Sequence, residues 1–340
     1  MIRKLLIGFA LVLVIGFAVY LRFHHAKAPL ETAYVGSRQV TVWSTTAQVR
    51  EPVAMMSFGD RVDVLGRFED QVKVRTMSGV TGWTGQDQLL SAEFWRQAQE
   101  LESETVTMPI EARGHTRVLT NLHIDPARWA ARIRQLDKNV PVDLYERRPV
   151  DVPSAPGAIV AEAGDGSPPA VKKEDWWLVR AHVETPSSGG LTISGWLLGR
   201  FVDLDVPEPL PDYAGAAGMR IVSWYELNDV AGESGAKRPQ YLVLGTRSGE
   251  GQPCDFTLLR VFTWGKQNRR YETAFVESNL CGKLPLMLTA GRGEGGDATF
   301  SFEDWSKGKA EVRTYHMHQT IVRLERANGS EPARRKHGHG

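Results

Sequence analysis

The stretch GDRVDVLGRFEDQVKVRT at 59–76, followed by SGVTGWTGQDQL at 78–89, decides the fold because it recurs later in the chain. The later copy reads NVPVDLYERR at 139–148, EDWWLVRA at 174–181 and ISGWLLGRFV at 193–202. Spacing and residue type recur together, which is a strong sign of an internal repeat. The sequence therefore predicts two copies of one structural unit.

The alignment of the two copies uses charged, apolar and glycine positions that recur in the same order. Its pairs are Val62 and Val64 with Val140 and Val142, Glu69-Asp70 with Glu174-Asp175, Val72-Lys73-Val74-Arg75 with Trp177-Leu178-Val179-Arg180, and Gly82-Trp83 with Gly195-Trp196. Apolar and polar residues alternate within each copy, as they do in half-buried strands, and Glu-Asp or glycine stands at the predicted turns. Each copy therefore predicts a small barrel of about five or six strands.

Domain boundaries follow changes in composition. We predict the first copy over 33–92 and the second over 103–206. The segment SAEFWRQAQELESET at 91–105 lies between them and predicts a short connecting helix. Its apolar residues recur at helix-like spacing and are Phe94, Trp95, Ala98 and Leu101.

This pattern resembles the bacterial Src-homology-3-like (SH3b) family, whose domains often occur in tandem in exported envelope proteins. The most specific shared element is a charged turn, a V/W-x-V-R strand and a Gly-Trp step, and the resemblance covers roughly half of the chain. The family usually opens with an Asn-Val-Arg-Ser-Gly-Pro-like segment, whereas 40–46 and 116–122 keep the alternation without that turn. The resemblance implies two SH3-like β-barrels in a protein of the cell envelope.

Three further segments interrupt or follow the predicted domains. An insertion rich in Pro, Ala and Gly at 149–173 predicts a solvated loop, and a docking arm in extended polyproline form is the alternative. Proline and then glycine at 207–218 predict a linker. The tail at 328–340 is predicted to be disordered.

The carboxy-terminal region at 219–327 contains eight short apolar runs separated by turn clusters. This pattern predicts an antiparallel β-sandwich or barrel. Cys254 and Cys281, the only cysteines of the chain, both lie in this region. Outside the cytoplasm we expect them to form a disulfide, worth about 3.5 kcal/mol by loop closure, whereas in the cytosol they would be two buried thiols.

The amino terminus contains the uncharged run LLIGFALVLVIGFAVYL at 5–21. As a helix it would span about 25 Å, the short end of what crosses a bilayer. We predict an uncleaved signal anchor and spacer over 1–32; a cleaved signal peptide and a buried core helix are the alternatives. The expected result is a single-pass protein of the bacterial inner membrane, held in the lipid bilayer through 5–21, with most of the chain periplasmic or extracellular. Because Lys and Arg tie across the run, charge alone does not fix this orientation.

Composition and motifs argue against nucleic-acid binding and catalysis. The 41 Lys and Arg residues nearly balance the 40 Asp and Glu residues, so the formal charge is +1 and no broad positive field attracts nucleic acid. His316 and His318 share one face of a predicted strand and are weak metal candidates; surface histidines are the simpler interpretation. Neither cysteine sits at a helix amino terminus that would acidify its thiol. We expect no enzymatic activity and no cofactor.

Tryptophans of the two copies are the candidate binding residues. Because neighbouring strand residues face opposite sides, one of Trp176 and Trp177 points inward and the other outward. The match to Val72 makes Trp177 the inward residue and Trp176 the best contact candidate; cover of the barrel edge is the alternative. Trp83 and Trp196, at the two Gly-Trp steps, are further candidates for a groove that stacks on peptide or glycan.

These expectations combine into one functional hypothesis. We predict a non-catalytic, membrane-anchored envelope protein whose tandem SH3-like domains bind cell-wall peptide or an envelope protein partner. The alternative is a peptidoglycan-directed hydrolase, or an accessory to one, with its site in the carboxy-terminal β domain. A structural spacer without a ligand is a third possibility. The sequence identifies neither the ligand nor the oligomeric state.

Overall fold

The structure is a computed structural model that describes residues 29–152, 172–185, 189–232 and 235–325. These residues are mainly β: three seven-stranded antiparallel sheets and two α-helices, α1 (Ala92–Thr107) and α2 (Leu210–Ala216). The all-β expectation is therefore confirmed for the described part of the chain.

The predicted fold class needs one correction. None of the helices in the described ranges has both the length and the apolar character needed to cross a bilayer. The fold class is therefore corrected to a mainly β chain without a membrane-spanning helix among those residues, and the transmembrane, single-pass and signal-anchor expectations are not carried further. The predicted anchor at 5–21 lies outside the described residues.

Contacts divide the chain into two compact units, which are described separately. The first unit takes the described residues up to Leu101, together with 132–135 and the described part of 183–191. The second unit takes the other described residues, including α2 and the whole carboxy-terminal sheet.

The first sheet is built mainly from alternating valines. Its strands are β1 (Glu31–Val35), β2 (Gln39–Trp43), β3 (Pro52–Ser57), β4 (Arg61–Phe68), β5 (Gln71–Thr76), β6 (Thr81–Gly85) and β7 (Leu89–Ser91). They lie in the order β3-β2-β6-β5-β4-β1-β7. Every second residue points into one apolar core, as the two-residue period of a strand requires. The valines of that core are Val35, Val40, Val42, Val62, Val64, Val72 and Val74.

The second sheet repeats the first. Its strands are β8 (Ala112–Thr116), β9 (Thr120–His123), β10 (Arg132–Leu136), β11 (Pro141–Asp151), β12 (Lys173–Thr185), β13 (Gly189–Leu198) and β14 (Val202–Leu204). Their order, β10-β9-β13-β12-β11-β8-β14, is that of the first sheet with seven added to each strand number. The identical order confirms the internal duplication, and we call β1–β7 the first repeat and β8–β14 the second repeat.

The predicted alignment slips by two residues in one strand. Val64 pairs with Val74, and Leu144 pairs with Val179, the equivalent of Val74. Val64 therefore corresponds to Leu144, and not to Val142 as predicted. A two-residue slip keeps each side chain on its own face, so alternation alone does not reveal it. With Val64 matched to Leu144, the bulges of the two repeats also coincide, because each repeat has a bulge at the residue that follows in this strand.

The connecting helix is confirmed as α1. In the first unit its Trp95 ring stacks on Tyr34 with ring centroids 5.0 Å apart and meets the edge of Phe58 at 5.5 Å. Ala98, one turn further along, is also buried. The apolar stripe seen in the sequence is therefore the packing face of the helix.

The carboxy-terminal sheet is a meander of seven strands, where eight were predicted. They are β15 (Arg220–Ala231), β16 (Lys237–Thr246), β17 (Phe256–Gly265), β18 (Arg270–Thr289), β19 (Ala298–Asp304), β20 (Glu311–His318) and β21 (Ile321–Leu324), in sequential order. Two predicted runs, Ala274–Val276 and Pro285–Leu288, lie in the single long strand β18. Neighbouring residues of β16 point to opposite faces of the sheet: Leu242 packs into a first apolar cluster and Val243 into a second. Both faces of this part of the sheet are therefore covered.

The predicted linker at 207–218 is largely the helix α2. Leu210 and Ala214 are four residues apart, so they share one helix face, and both are buried with Met219 in the second apolar cluster. The segment is thus part of the packed domain. The middle of the predicted insertion, 153–171, and the tail beyond 325 lie outside the described residues.

Candidate functional site

The outward face of the first repeat carries two tryptophans side by side. Trp43 on β2 and Trp83 on β6 are cross-strand partners, and both are partly exposed. Glycine precedes Trp83 for a steric reason: a Cβ at Gly82 would lie 2.6 Å from the Trp43 carbonyl oxygen. The Gly-Trp step therefore lets two strands approach closely and sets two aromatic rings on one surface.

Two cations flank this pair. The Arg50 guanidinium lies 4.5 Å from the centroid of the Trp43 ring, and Lys73 Nζ lies 5.9 Å from that of Trp83. We call these four residues the aromatic face. Flat rings stack on ligands, and cations above them pair with carboxylates, so the face suits an anionic peptide.

An apolar side chain extends the same outward face. Met55, 62% exposed, pairs across β2 and β3 with Thr41. Exposed apolar residues next to aromatic rings are typical of interaction surfaces. Of the aromatic face, only Trp83 was predicted as a site residue; the alternation of Val40-Thr41-Val42-Trp43 is the signal that places Trp43 on the same side.

The equivalent surface of the second repeat is covered. Trp196, the counterpart of Trp83, is buried, and the Arg148 guanidinium lies 4.4 Å from its ring centroid. Leu178, the counterpart of Lys73, is also buried. The structure therefore does not place Trp196 on an open surface.

The last turns of α1 account for part of that cover. Thr105 Oγ1 and Ser194 Oγ lie 2.7 Å apart, and Glu102 Oε2 accepts from Ser194 Oγ at 2.6 Å. Arg180 Nε lies 3.0 Å from Glu102 Oε1. All four residues belong to the second unit, so this end of the helix lies on the outward side of β12 and β13.

The prediction that Trp176 points into solvent is wrong. Trp176 is 1% exposed and Trp177 is 7% exposed, because both faces of β12 are covered. The Trp176 indole donates from Nε1 to Glu174 Oε1 at 3.2 Å, and its ring meets His123 edge-on at 5.5 Å. Trp176 still lines one side of a cavity of about 380 Å³ with His123, Arg128 and Arg200.

The predicted Glu-Asp turn of the second repeat is strand, and both carboxylates are buried. Glu174 accepts from Arg128 Nη2 at 2.6 Å and from Arg200 Nη2 at 2.5 Å. Burial on its own would raise the pKa of Glu174, but these two arginines outweigh it and lower the pKa below its usual value. The carboxylate is therefore a fixed counter-ion.

Asp175 belongs to a second buried cluster. Arg147, 4% exposed in its side chain, donates from Nη2 to Asp175 Oδ1 at 2.6 Å and from Nη1 to Asp255 Oδ1 at 2.8 Å. Its guanidinium also donates to the backbone carbonyls of Gln252 and Cys254. Every member lies in the second unit, so this arginine joins the second repeat to the loop before β17.

Glu111 is a buried carboxylate with a strongly shifted pKa. Its Oε2 accepts from Tyr225 Oη at 2.5 Å and from the Leu286 amide at 3.2 Å, while Oε1 has no partner among the described residues. Burial raises the pKa of Glu111 to about 7, against the lowering effect of these hydrogen bonds. Burial and the adjacent Glu111 raise the pKa of Tyr225 well above its ordinary value.

The two cysteines are bonded to each other in the structure, Cys254 in the loop before β17 and Cys281 in β18. The predicted pair is thus brought together. Neither sulfur then offers the thiolate that a cysteine peptidase requires.

The histidine pair lies as the strand pattern predicts, on one exposed face of β20. His318 Nδ1 lies 2.5 Å from Asp297 Oδ1, and His316 Nε2 lies 3.3 Å from Glu325 Oε2. Among the residues that the structure describes, no group of three His, Cys, Asp or Glu side chains is placed to hold a metal ion. Each histidine faces its own carboxylate.

No protein-family model matches the chain, and no curated protein matches it either. The SH3b resemblance therefore stays a prediction, compatible with the β-rich fold.

Solved structures give slight similarities. An NlpC/P60 family protein from Bacillus cereus ATCC 10987 is 16% identical over 55% of this chain and 62% of its own, with a TM-score of 0.21. NlpC2 from Trichomonas vaginalis is 13% identical over 53% and 51%, with a TM-score of 0.17. NlpC1 from the same organism is 11% identical over 87% and 94%, with a TM-score of 0.16. The chain thus spans less than two thirds of the first two, and scores this low support no functional conclusion.

Proposed function

We propose that this chain is a non-catalytic binding protein of the cell envelope, which holds cell-wall peptide or an envelope protein through the aromatic face of its first repeat. The observation that carries the proposal is the partly exposed pair Trp43 and Trp83 between two cations. The SH3b resemblance of both repeats supports it. The disulfide in the structure favours a location outside the cytoplasm, where such bonds persist.

Cell-wall peptide is the first ligand to test, because its carboxylates suit Arg50 and Lys73 and its apolar groups suit the rings. The experiment is sedimentation of the purified chain with insoluble peptidoglycan. Wild type is compared with Trp83→Ala, Trp43→Ala and the double variant. Aromatic anchors contribute about 2 kcal/mol or more, so each single variant should bind at least roughly tenfold more weakly.

Trp129→Ala is the matched control. Trp129 is 70% exposed and lies in the second repeat, so its removal takes away an exposed indole without touching the aromatic face. Unfolding midpoints of all variants should stay near wild type, because the two target rings are only partly buried. Equal retention of the double variant and the control would refute the site.

Two further outcomes separate the remaining possibilities. If wild type does not sediment, a photocrosslinker at Met55, beside the aromatic face, tests the protein-partner form in intact cells. A single envelope protein captured by wild type and lost with Trp83→Ala supports that form. Zymography of the purified chain against peptidoglycan tests the hydrolase alternative, and clearing that a chelator abolishes would overturn the non-catalytic proposal.

A further inference from the structure

A cavity of about 530 Å³ lies within the second unit, between the second repeat, α2 and the start of the carboxy-terminal sheet. Sites for small ligands commonly enclose about 300–1,000 Å³ and combine an apolar lining with a few polar groups. None of the residues of the aromatic face lines this cavity. It is therefore a separate candidate site.

The floor of the cavity is apolar. Trp177 presents its nearly buried ring, and Met219, buried behind α2, lines the same space. Ile221 and Val202 complete the floor from the two flanking sheets. An apolar side chain of a ligand would be desolvated against these groups, which is favourable by about 25 cal/mol per Å² of buried apolar surface.

The rim carries charges of both signs, and most are already engaged. Arg117 donates from Nε to Asp203 Oδ1 at 2.8 Å. Arg200 is bound to the buried Glu174. Asp175 is held by Arg147, so it is a fixed part of the wall.

Two rim groups are left weakly engaged, one of each sign. The Arg220 guanidinium is 52% exposed, and its nearest carboxylate oxygen, Asp175 Oδ2, lies 3.9 Å from Nη2. Glu250 Oε2 lies 3.6 Å from Arg200 Nη2, and that guanidinium nitrogen already binds Glu174. Neither Arg220 nor Glu250 makes a side-chain hydrogen bond to any of the described residues.

We propose that this cavity binds an α-amino acid or a very short peptide as a zwitterion. Its carboxylate pairs with Arg220, its ammonium group pairs with Glu250, and an apolar side chain lies on Trp177 and Met219. The charge complementarity carries the choice of ligand, because one weakly engaged cation and one weakly engaged anion border a single apolar floor. The proposal does not depend on the function assigned to the aromatic face.

The first test blocks the cavity. Gly215 lies in α2 and lines the space, and a Cβ built there meets no atom within 4 Å. Gly215→Trp should fill the cavity without strain and reduce binding of leucine and of leucyl-leucine, measured by calorimetry on the full chain, by at least tenfold. Gly190→Trp is the matched control, because its Cβ also meets nothing within 4 Å and it does not line the cavity.

The second test assigns the two charges. Arg220→Gln should lower the affinity for leucine at least tenfold and leave the affinity for leucinamide, which has no carboxylate, unchanged. Glu250→Gln should lower the affinity for leucine by the same factor and leave the affinity for N-acetyl-leucine, which has no ammonium group, unchanged. Both side chains are substantially exposed, so thermal unfolding should be near wild type for each variant.

The same calorimetric titrations also distinguish a free amino acid from a short peptide as the ligand. Tighter binding of leucine than of leucyl-leucine identifies a free amino acid, and the reverse identifies a peptide. The proposal is overturned if wild type binds neither compound at millimolar concentration, or if Gly215→Trp binds as well as Gly190→Trp. Retention on peptidoglycan by Gly215→Trp reports separately on the aromatic face.

Discussion

The first and second repeats have the same strands in the same order but expose different surfaces. In the first repeat, Trp83 is partly exposed and its neighbour Lys73 is exposed. In the second repeat, the equivalent residues Trp196 and Leu178 are buried. The duplicated sheet therefore sets the backbone, and the surroundings of each copy decide which surface is left for a partner.

One position that is charged in the second repeat and apolar in the first also differs in burial. Glu111 and Leu30 are equivalent, since their amides donate to the paired positions Leu144 and Val64. Glu111 is buried, whereas Leu30 is 67% exposed. The charged residue is thus the buried one and the apolar residue the exposed one, the reverse of what is usual. The reason is that the second repeat packs against the carboxy-terminal sheet at this position, through Tyr225 and other residues.

The largest expected effect separates Trp176 from its counterpart Gln71. Trp176→Ala should lower the free energy of unfolding by about 3–5 kcal/mol, because it empties a large buried volume and leaves Glu174 without one donor. Gln71→Ala should change it by less than about 1 kcal/mol, since this side chain is only partly buried. Urea unfolding followed by circular dichroism measures both.

A small effect of Trp176→Ala would mean that the outward side of β12 is open. It would contradict the conclusion that this position is buried in the second repeat and only partly buried in the first. Trp129→Ala is the control for loss of an indole, because Trp129 is exposed in the same repeat.

Arg147 and Arg67 also occupy equivalent positions, each opposite the paired residues Trp177 and Val72. Arg147→Met leaves the carboxylates of Asp175 and Asp255 buried without their shared cation, which should cost about 3–5 kcal/mol. Arg67 pairs with Glu31 at the surface, so Arg67→Met should cost about 0–1 kcal/mol. Unfolding in urea at pH 7 compares them.

The double variant Arg147→Met with Asp175→Asn sharpens this comparison. If the cost arises from an uncompensated buried charge, removing one carboxylate should recover part of the stability. Equal losses for Arg147→Met and Arg67→Met would show that the loop before β17 does not cover the second repeat in solution.

The sequence predicts the local features of both repeats but not their surroundings. Alternating valines predict the strands, the spacing around Trp95 predicts α1, and Gly82 and Gly195 mark equivalent close approaches. The burial of Trp176 is not predictable in this way, because strand alternation assigns a side but not what covers it. The partners of Arg147 illustrate this limit: Asp255 lies 108 positions away, in the loop before β17.

The linker at 207–218 was mispredicted for a related reason. Its proline and glycine content is typical of loops, yet Leu210 and Ala214 form a stripe of only one turn. So short a stripe gains its stability from the cluster around Met219, which is formed by residues further along the chain.

The pH dependence of stability tests the inverted pair at Leu30 and Glu111. Because the pKa of Glu111 is raised to about 7, the folded chain holds a proton that the unfolded chain releases near the ordinary value of 4.5. The contribution of Glu111 to the free energy of unfolding is thus at its full value below about pH 4.5 and falls as the pH rises toward 7. Above pH 7 the free energy of unfolding is lower by about 3 kcal/mol than below pH 4.5 on account of this group.

Glu111→Gln should remove that loss. The variant should match wild type near pH 4 and exceed it by about 3 kcal/mol at pH 8, in unfolding curves recorded across this range. Glu31→Gln, in the first repeat and at the surface, is the control for loss of a carboxylate and should change the free energy of unfolding by less than about 1 kcal/mol. Identical profiles for wild type and Glu111→Gln would show that the carboxyl is hydrated.

The smallest expected effect is one on which the two repeats should agree. A Cβ at Gly82 would lie 2.6 Å from Trp43 O, and one at Gly195 would lie 2.9 Å from His123 O and 2.5 Å from Leu122 Cγ. Gly82→Ala and Gly195→Ala should therefore each destabilise by about 1–3 kcal/mol, because the adjacent strand must move. Gly190→Ala, with open space at its Cβ, should be neutral or stabilising by up to about 1 kcal/mol. If only one of the two variants loses stability, then the strands approach closely in one repeat alone, and the shared backbone on which the whole comparison depends does not extend to the Gly-Trp step.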